Sequence, residues 1–149
     1  MISGHHISKS SGSKTILDNI SFEIETGSTV AFLGPSGSGK TSILRLIMGL
    51  ENHDCGDLAL DELLLSGPGG IAVPAEKRGF SFMFQEFTLF PHLNVMENIL
   101  ISLKDKPGPD HHRQADELME LLRIAPLKKK RIDTLSGGEQ QRVSLARTL

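Results

Sequence analysis

A short apolar run that leads directly into a glycine-rich loop constrains the fold of this chain more than any other feature. Residues 29–33 read Thr-Val-Ala-Phe-Leu, a composition typical of a strand buried on both faces, as in a parallel sheet. Residues 34–42 follow as Gly-Pro-Ser-Gly-Ser-Gly-Lys-Thr-Ser. The next apolar residues have the spacing of one helix face: Ile43, Leu46, Ile47 and Leu50. The order of strand, loop and helix predicts an α/β fold, with the helix ending near Gly49.

The loop has the Gly-x4-Gly-Lys-Thr pattern of phosphate-binding loops, in the strand–loop–helix context that this pattern requires. Glycines let successive backbone N–H groups turn toward one anion, and the helix that follows adds the positive end of its dipole. Lys40 is expected to bind the β- and γ-phosphates of a nucleotide, and the Thr41 hydroxyl to bind Mg²⁺. A dinucleotide-binding pattern is excluded, because its third glycine would fall at Ser42. The predicted phosphate-binding residues are Gly34, Pro35, Ser36, Gly37, Ser38, Gly39, Lys40, Thr41 and Ser42.

Alternation of apolar and polar residues predicts further strands before residue 90. Two alternating sets are present: Ile20, Phe22 and Ile24, and then Leu58 and Leu60. Residues 80–84 read Phe-Ser-Phe-Met-Phe and predict another strand, which ends at Gln85.

After residue 91 the apolar period changes to that of helices. One predicted helix face is formed by Ala115, Leu118, Met119 and Leu122. This helix is expected to begin near Asp110 and to end at Pro126. Ser136 and Glu139 have the spacing of a capping box, which predicts a last helix.

Charge and composition exclude several classes of function. The 16 basic and 18 acidic residues give a net charge of -2, so no general attraction to nucleic acid is expected. The basic run at residues 128–131 is interpreted as a solvated surface turn. Cys55 is the only cysteine, which excludes an internal disulfide and a cysteine-cluster metal site. No apolar stretch approaches the ~18 residues that a membrane span needs, and residues 1–13 lack the pattern of a secretory signal.

A second glycine pair opens the last predicted helix, in Leu-Ser-Gly-Gly-Glu-Gln-Gln-Arg at residues 135–142. On its own this pattern also fits an ordinary Ser-capped helix. Together with the phosphate loop, it closely resembles the nucleotide-binding domain of ATP-binding cassette (ABC) transporters, over essentially the whole chain. In that family this signature contacts the γ-phosphate of ATP bound to the opposite protomer of a head-to-tail dimer. The resemblance implies the same role for Ser136, Gly137 and Gly138, with Glu139 where glutamine is commoner.

Residues 82–85, Phe-Met-Phe-Gln, resemble the Q-loop of the family. The resemblance implies that Gln85 approaches Mg²⁺ and the attacking water, and that its loop relays movement to a membrane subunit. Residues 89–99 resemble the start of the helical subdomain in importers of iron, polyamines, sulfate and related solutes. The segment that follows Gln85 contains four apolar residues, which are expected to form a docking surface for the membrane subunit: Phe87, Leu89, Phe90 and Leu93.

The resemblance implies an α/β phosphate-loop ATPase fold of the ABC type, with an N-terminal antiparallel β subdomain and a helical subdomain. Residues 1–90 would form the β subdomain and phosphate-loop core, and residues 91–149 the helical subdomain through the signature helix. The implied function is an energy-coupling subunit, of an importer, that binds and hydrolyses ATP with Mg²⁺. Its implied partners are a second nucleotide-binding subunit and a transmembrane permease subunit at the cytoplasmic face of the membrane, with no nucleic acid.

Several family elements do not occur in the 149 residues: an apolar strand ending in Asp-Glu, the dimer-contact loop after it, and the switch histidine. The chain is therefore expected to be the N-terminal part of an ATPase whose C-terminal core is missing. Ser11 aligns where relatives stack adenine on an aromatic residue, which would weaken that stacking. Two alternatives stay open, a soluble ABC ATPase that is not coupled to a membrane and a fragment that binds nucleotide without hydrolysing it.

Overall fold

The computed structural model describes residues 1–103 and 110–149. Packing divides them into two compact units, Met1–Phe80 and Ser81–Leu149. The first unit contains a sheet and one α-helix, and the second contains three α-helices within the described residues. The subdomain boundary expected at residue 90 stays a prediction.

The first unit is built on a five-stranded antiparallel sheet in the order β2-β1-β3-β4-β5. Its strands are β1 (Ile2–Ser11), β2 (Lys14–Ile24), β3 (Cys55–Leu60), β4 (Leu63–Gly67) and β5 (Gly70–Ile71). β1 and β2 form a hairpin in which Ile2 pairs with Ile24 and Ser11 with Lys14. Both alternating patterns of the sequence lie in strands, β2 and β3, so that part of the prediction is confirmed.

One helix, α1 (Lys40–Met48), completes the core of this unit. Its buried face joins the sheet in one apolar cluster: Ile7, Leu17, Ile43, Leu46, Ile47, Leu58 and Leu65. The predicted helix face is confirmed except at Leu50, whose side chain is 47% exposed. Leu50 lies beyond the helix because Gly49 ends it, with φ 76° and an N–H that donates to the carbonyl of Leu46 at 3.0 Å.

Two segments predicted as strands, residues 29–33 and 80–84, have no regular secondary structure, which corrects the sequence prediction. Val30 is 50% exposed and Leu33 is 91% exposed, so the first segment is not buried on both faces. A strand needs a hydrogen-bonding partner as well as apolar side chains. All strands of the described residues pair within the antiparallel sheet, and none of them pairs with either segment.

The second unit is formed by α2 (Val95–Leu103), α3 (His111–Leu121) and α4 (Gly137–Thr148). Its core contains side chains with no exposed surface: Val95, Ile99, Met119, Ile124 and Val143. Asp110 caps α3 by accepting a hydrogen bond from the Arg113 N–H at 3.0 Å, where the sequence predicts the helix to begin. The helix ends at Leu121, earlier than predicted, because Arg123 has a left-handed φ of 55° and the Ile124 N–H donates back to the carbonyl of Met119 at 2.8 Å. Pro126 lies in a separate 3-10 turn (Ala125–Leu127).

The basic run at residues 128–131 lies mostly on the surface, as predicted, but its main chain also supports α2. The carbonyls of Lys130 and Lys128 accept hydrogen bonds from the N–H groups of Val95 and Met96, each at 3.1 Å. These N–H groups belong to the first turn of α2, which has no partner of its own for them. Within residues 1–103 and 110–149, no helix has the length and apolar content that crossing a bilayer requires.

Candidate functional site

Three glycines give the loop at residues 34–39 its shape, since each has a positive φ: 151° at Gly34, 79° at Gly37 and 89° at Gly39. Gly39 is also enclosed. A Cβ at this position would lie 2.6 Å from Cδ2 of Leu17 and 2.9 Å from the carbonyl oxygen of Ile16. Only glycine therefore fits where the loop passes over β2 and turns into α1.

Lys40 closes this loop through its ammonium group. Its Nζ donates to the carbonyl oxygens of Gly34 at 2.9 Å and Pro35 at 2.7 Å, and to the Ser38 hydroxyl at 3.3 Å. The three donors of the ammonium are thus used on neutral acceptors of the loop itself. An anionic phosphate at the loop would offer the same donors a stronger acceptor.

The start of α1 is open to an anion. Gly39 occupies the N-cap and supplies no side-chain cap, and the first turn contains no acidic residue. The first helical hydrogen bond runs from the Ile43 N–H to the carbonyl of Gly39 at 3.0 Å. The N–H groups of residues 40–42 have no hydrogen-bond partner in the part of the chain that the structure describes. Three free donors and the positive end of a helix dipole suit a phosphate group, and the exposed Thr41 hydroxyl lies beside them.

The glycine pair Gly137–Gly138 opens α4 behind a complete capping box. The Ser136 N–H and hydroxyl both donate to Oε2 of Glu139, at 2.8 and 2.7 Å, and the Glu139 N–H donates to the Ser136 hydroxyl at 3.4 Å. The capping box that the spacing predicts is confirmed. The hydroxyl and then the backbone N–H of Ser136 hold the pKa of the Glu139 carboxyl below its ordinary value. An added Cβ would meet no atom within 4 Å at Gly137 and only Arg142 Nη1, at 3.9 Å, at Gly138, so an approach to this backbone is open.

Gln85 is exposed on a bend, and its side chain makes no hydrogen bond within the described residues. Residues 34–42 therefore lie together in the first unit, while Gln85 and residues 136–138 belong to the second. Ser11, the residue at the expected adenine position, is exposed at the end of β1.

Arg78 is a functional candidate that the sequence analysis missed. Its guanidinium is buried and donates to the carbonyls of Leu46 at 2.9 Å, Ile47 at 2.7 Å, Leu65 at 3.1 Å and Val73 at 2.7 Å. Two of these carbonyls end α1, so Arg78 fixes the far end of the helix that carries Lys40. Burial lowers the pKa of this guanidinium. No signal in the sequence pointed to Arg78.

Asn98 was also missed, although it interrupts an apolar run. Its side chain is fully buried in α2 and holds the segment after Gln85: its Oδ1 accepts from the Phe90 N–H at 2.8 Å. Its Nδ2 donates to the carbonyls of Phe90 at 3.1 Å, Leu93 at 3.3 Å and Asn94 at 3.0 Å. A lone asparagine among apolar helix residues was the available signal, since a buried amide has to find partners.

Comparison with known proteins decides the family. The profile of the family described as "ABC transporter" matches residues 17–149. The chain belongs to the ABC transporter family. The predicted family and its expected fold are therefore confirmed.

Curated relatives of this ABC transporter chain are import ATP-binding proteins. The maltose/maltodextrin import protein MalK of Photorhabdus laumondii is 39% identical over 97% of this chain and 38% of the relative. The Fe(3+) ions import protein FbpC 2 of Pectobacterium atrosepticum is 41% identical over 100% of this chain and 43% of the relative. The spermidine/putrescine import protein PotA of Haemophilus influenzae is 40% identical over 96% and 38%. The chain thus spans between 38% and 43% of the length of these relatives.

Solved structures give the same fold. A dimeric structure of MJ0796, a bacterial ABC transporter cassette, matches with a TM-score of 0.86 and 28% identity, over 100% of this chain and 69% of that one. A dimeric post-hydrolysis state of the same cassette, bound to ADP and Pi, matches with a TM-score of 0.84 at 28% identity, again over 100% and 69%. The fold of the ABC transporter chain is that of an ABC ATPase cassette.

Proposed function

We propose that this sequence forms the ATP-binding part of an energy-coupling subunit of a solute importer, which binds and hydrolyses ATP with Mg²⁺. The observation that carries the proposal is the open N-terminus of α1, with three unpaired N–H groups beside the ammonium of Lys40. The import ATP-binding proteins among its relatives support the choice of an importer over a soluble ATPase.

The phosphates would bind by exchange at Lys40. The ammonium gives up the carbonyls of Gly34 and Pro35 for anionic oxygens, while the N–H groups of the loop and of residues 40–42 surround the same phosphates. Glycine at position 39 lets the loop pass close against Leu17 and Ile16 of β2 as it turns into α1.

Mg²⁺ would reach the site as part of the nucleotide complex. The described residues hold no cluster of three His, Cys, Asp or Glu side chains that could bind a bare cation. The exposed Thr41 hydroxyl at the first turn of α1 and the Gln85 amide are neutral oxygen ligands that suit Mg²⁺ already bound by phosphates. Mg²⁺ supplies charge neutralisation between the β- and γ-phosphates when bound.

A second copy of the subunit would complete each nucleotide site. Ser136, Gly137 and Gly138 are exposed and open to an approaching phosphate, which is what contact in trans requires. The dimeric state of the matched cassette structures supports this arrangement.

A permease subunit is the proposed membrane partner, which would hold this chain at the cytoplasmic face of the membrane. The second unit offers an apolar groove of about 440 Å³ lined by Leu93, Glu97, Leu100, Ile101, His111 and His112. Of the four residues predicted to dock, Phe90 is exposed, whereas Phe87, Leu89 and Leu93 are half-buried and Leu89 packs against the core of this unit. Phe84 and Ile101 are exposed as well. An exposed apolar surface of this kind is typical of a protein interface.

Substitution of Lys40 tests the proposal. In the full-length protein that carries this sequence, Lys40→Ala is expected to weaken Mg-ATP binding at least about tenfold in calorimetry, because a charge-assisted hydrogen bond to phosphate is lost. Lys77→Ala removes an exposed lysine of the same unit and is the matched control. Thermal unfolding should first show that both variants are folded. Equal affinity of Lys40→Ala and Lys77→Ala for Mg-ATP would then contradict the assignment.

A further inference from the structure

Two side chains on one face of α4 hold the segment that follows Gln85. The Ser144 hydroxyl donates to the carbonyl of Phe87 at 3.1 Å. One turn later, Arg147 donates from Nη1 to the carbonyl of Thr88 at 2.7 Å and from Nη2 to the Thr88 hydroxyl at 3.1 Å. Its guanidinium carbon also lies 5.3 Å from the centroid of the Phe90 ring. The segment is therefore attached to α4 at Phe87, Thr88 and Phe90.

The attachment holds the segment in a backbone conformation that is energetically unfavourable on its own. Thr88 has a φ of 48°, the left-handed region that β-branched residues avoid. Arg147 binds both oxygens that Thr88 presents in that conformation, and Ser144 is buried with only 3% of its surface exposed. Such a conformation persists only where neighbouring groups hold it, and here α4 supplies those groups.

The other side of the segment is fixed by Asn98 of α2, which binds both the N–H and the carbonyl of Phe90. Gln85 and Glu86 come directly before the held residues and are exposed. Phe87 and Thr88 are bonded to α4 and lie only two and three residues after Gln85. A displacement of α4 is therefore expected to move Gln85 as well.

We propose that Arg147, assisted by Ser144, is a positioning residue that ties Gln85 to the signature glycines at the other end of α4. The inference rests on the proposed function. α4 is one continuous helix of 12 residues, so its first turn at Gly137–Gly138 and its last turn at Arg147 are expected to move together. Contact between a phosphate and the first turn thereby changes where Gln85 lies.

The first arm of the test needs no nucleotide. In the full-length protein, Arg147→Gln is expected to speed hydrogen exchange of the Phe90 amide, which donates to Asn98 in the parent, about tenfold, because the bonds that hold the segment at Thr88 are removed. Arg147→Lys keeps the charge over Phe90 and loses the fork, so an intermediate rate is expected. Arg123→Gln is the matched control, since it makes the same substitution at an exposed arginine of the same unit that also has a left-handed φ, 55°. Ser144→Ala is a milder second variant, should Arg147→Gln fold poorly.

The second arm follows Gln85 during nucleotide binding. A fluorophore is attached at Glu86→Cys in a Cys55→Ser background, which removes the exposed native thiol. Mg-ATP is expected to change the emission in the parent and in Arg123→Gln, and this response is expected to be lost in Arg147→Gln and reduced in Arg147→Lys. The affinity for Mg-ATP should stay within about twofold, because the phosphate loop is untouched, and kcat should fall about tenfold with KM nearly unchanged.

Two results would overturn the proposal. Exchange of the Phe90 amide in Arg147→Gln at the control rate would show that Arg147 does not hold the segment. Faster exchange with a normal Mg-ATP response at position 86 would reduce Arg147 to a structural residue. Failure of the parent itself to bind Mg-ATP would instead contradict the proposed function, and hydrogen exchange would still decide whether Arg147 holds the segment.

Discussion

Gly39 is the most enclosed glycine of the phosphate loop, and Gly37 offers a comparison with a similar φ but free space around it. Both have a left-handed φ, 89° and 79°. An added Cβ at Gly39 would overlap Leu17 and the backbone of Ile16, whereas at Gly37 it would meet no atom within 4 Å. Gly39→Ala is expected to lower the free energy of unfolding by about 2–4 kcal/mol, combining backbone strain with overpacking. Gly37→Ala should lower it by only about 1–2 kcal/mol.

Urea denaturation of the two alanine variants measures this difference. Equal losses of stability would mean that β2 accommodates the added methyl group at position 39 at no cost in free energy.

Glu139 makes the start of α4 sensitive to acid. Hydrogen bonds from the Ser136 hydroxyl and N–H lower the pKa of the carboxyl from its ordinary value of 4.5, with smaller contributions from Lys130 and Arg142. A pKa lowered by folding means that the unfolded chain binds the proton more readily. The stabilisation is therefore complete above about pH 4.5 and is lost as the pH falls through the lowered folded-state pKa.

The stability difference between the parent and Glu139→Gln is thus expected to be larger at pH 7 than at pH 3. Thermal unfolding across that range measures it. Repeating the comparison in a Ser136→Ala background provides the control, since the hydroxyl that lowers the pKa is then absent. A difference that is independent of pH in both backgrounds would contradict the account.

At the scale of the element, α1 depends on a single buried arginine. Arg78 supplies donors to two carbonyls at the end of the helix and to two carbonyls of neighbouring segments. Arg78→Met is expected to lower the free energy of unfolding by about 3–5 kcal/mol, because those buried carbonyls lose their donors. Arg45→Met, on the same helix, removes an exposed arginine that pairs with Glu51 at 3.1 Å and should change stability by less than about 1 kcal/mol. Urea denaturation compares the two, and similar losses would show that Arg78 is replaceable.

Elements whose determinants are local were predictable from the sequence. The capping box of α4, the apolar face of α1 and the alternation in β2 each depend on residues a few positions apart. Residues 29–33 show the limit, because apolar composition describes side chains and says nothing of the strand that would pair with them. With no partner strand among the described residues, Val30 and Leu33 are exposed instead of buried.

At the scale of the whole molecule, the two units have separate cores. The apolar cluster of the first unit includes Leu58, and that of the second includes Ile99. Leu58→Ala is expected to destabilise the sheet by about 2–5 kcal/mol while the amides of α4 keep their protection from hydrogen exchange. Ile99→Ala should do the reverse, by a similar amount. Hydrogen exchange resolved by segment checks both variants, and loss of protection in both units from either change would indicate one cooperative core.

The candidate site has one part that the sequence predicts and another that it does not. The loop at residues 34–42 could be predicted because its residues are contiguous, and the structure brings them together around Lys40. The hydrogen bond between Arg147 and Thr88 joins residues 59 positions apart, and the residues around either position do not predict this pairing. Long-range attachments of this kind come from packing, which a single sequence does not display.

The exposure of residues 29–33 also leads to an expectation about self-association of the polypeptide. No charged residue lies between Glu25 and Lys40, and Leu33 presents nearly all of its side chain to solvent. Apolar segments with free backbone groups and no flanking charge adhere to one another edge to edge. Solubility, and not only unfolding, is therefore expected to limit the concentration at which this polypeptide can be handled, and its aggregation should begin in the segment that leads into its phosphate loop.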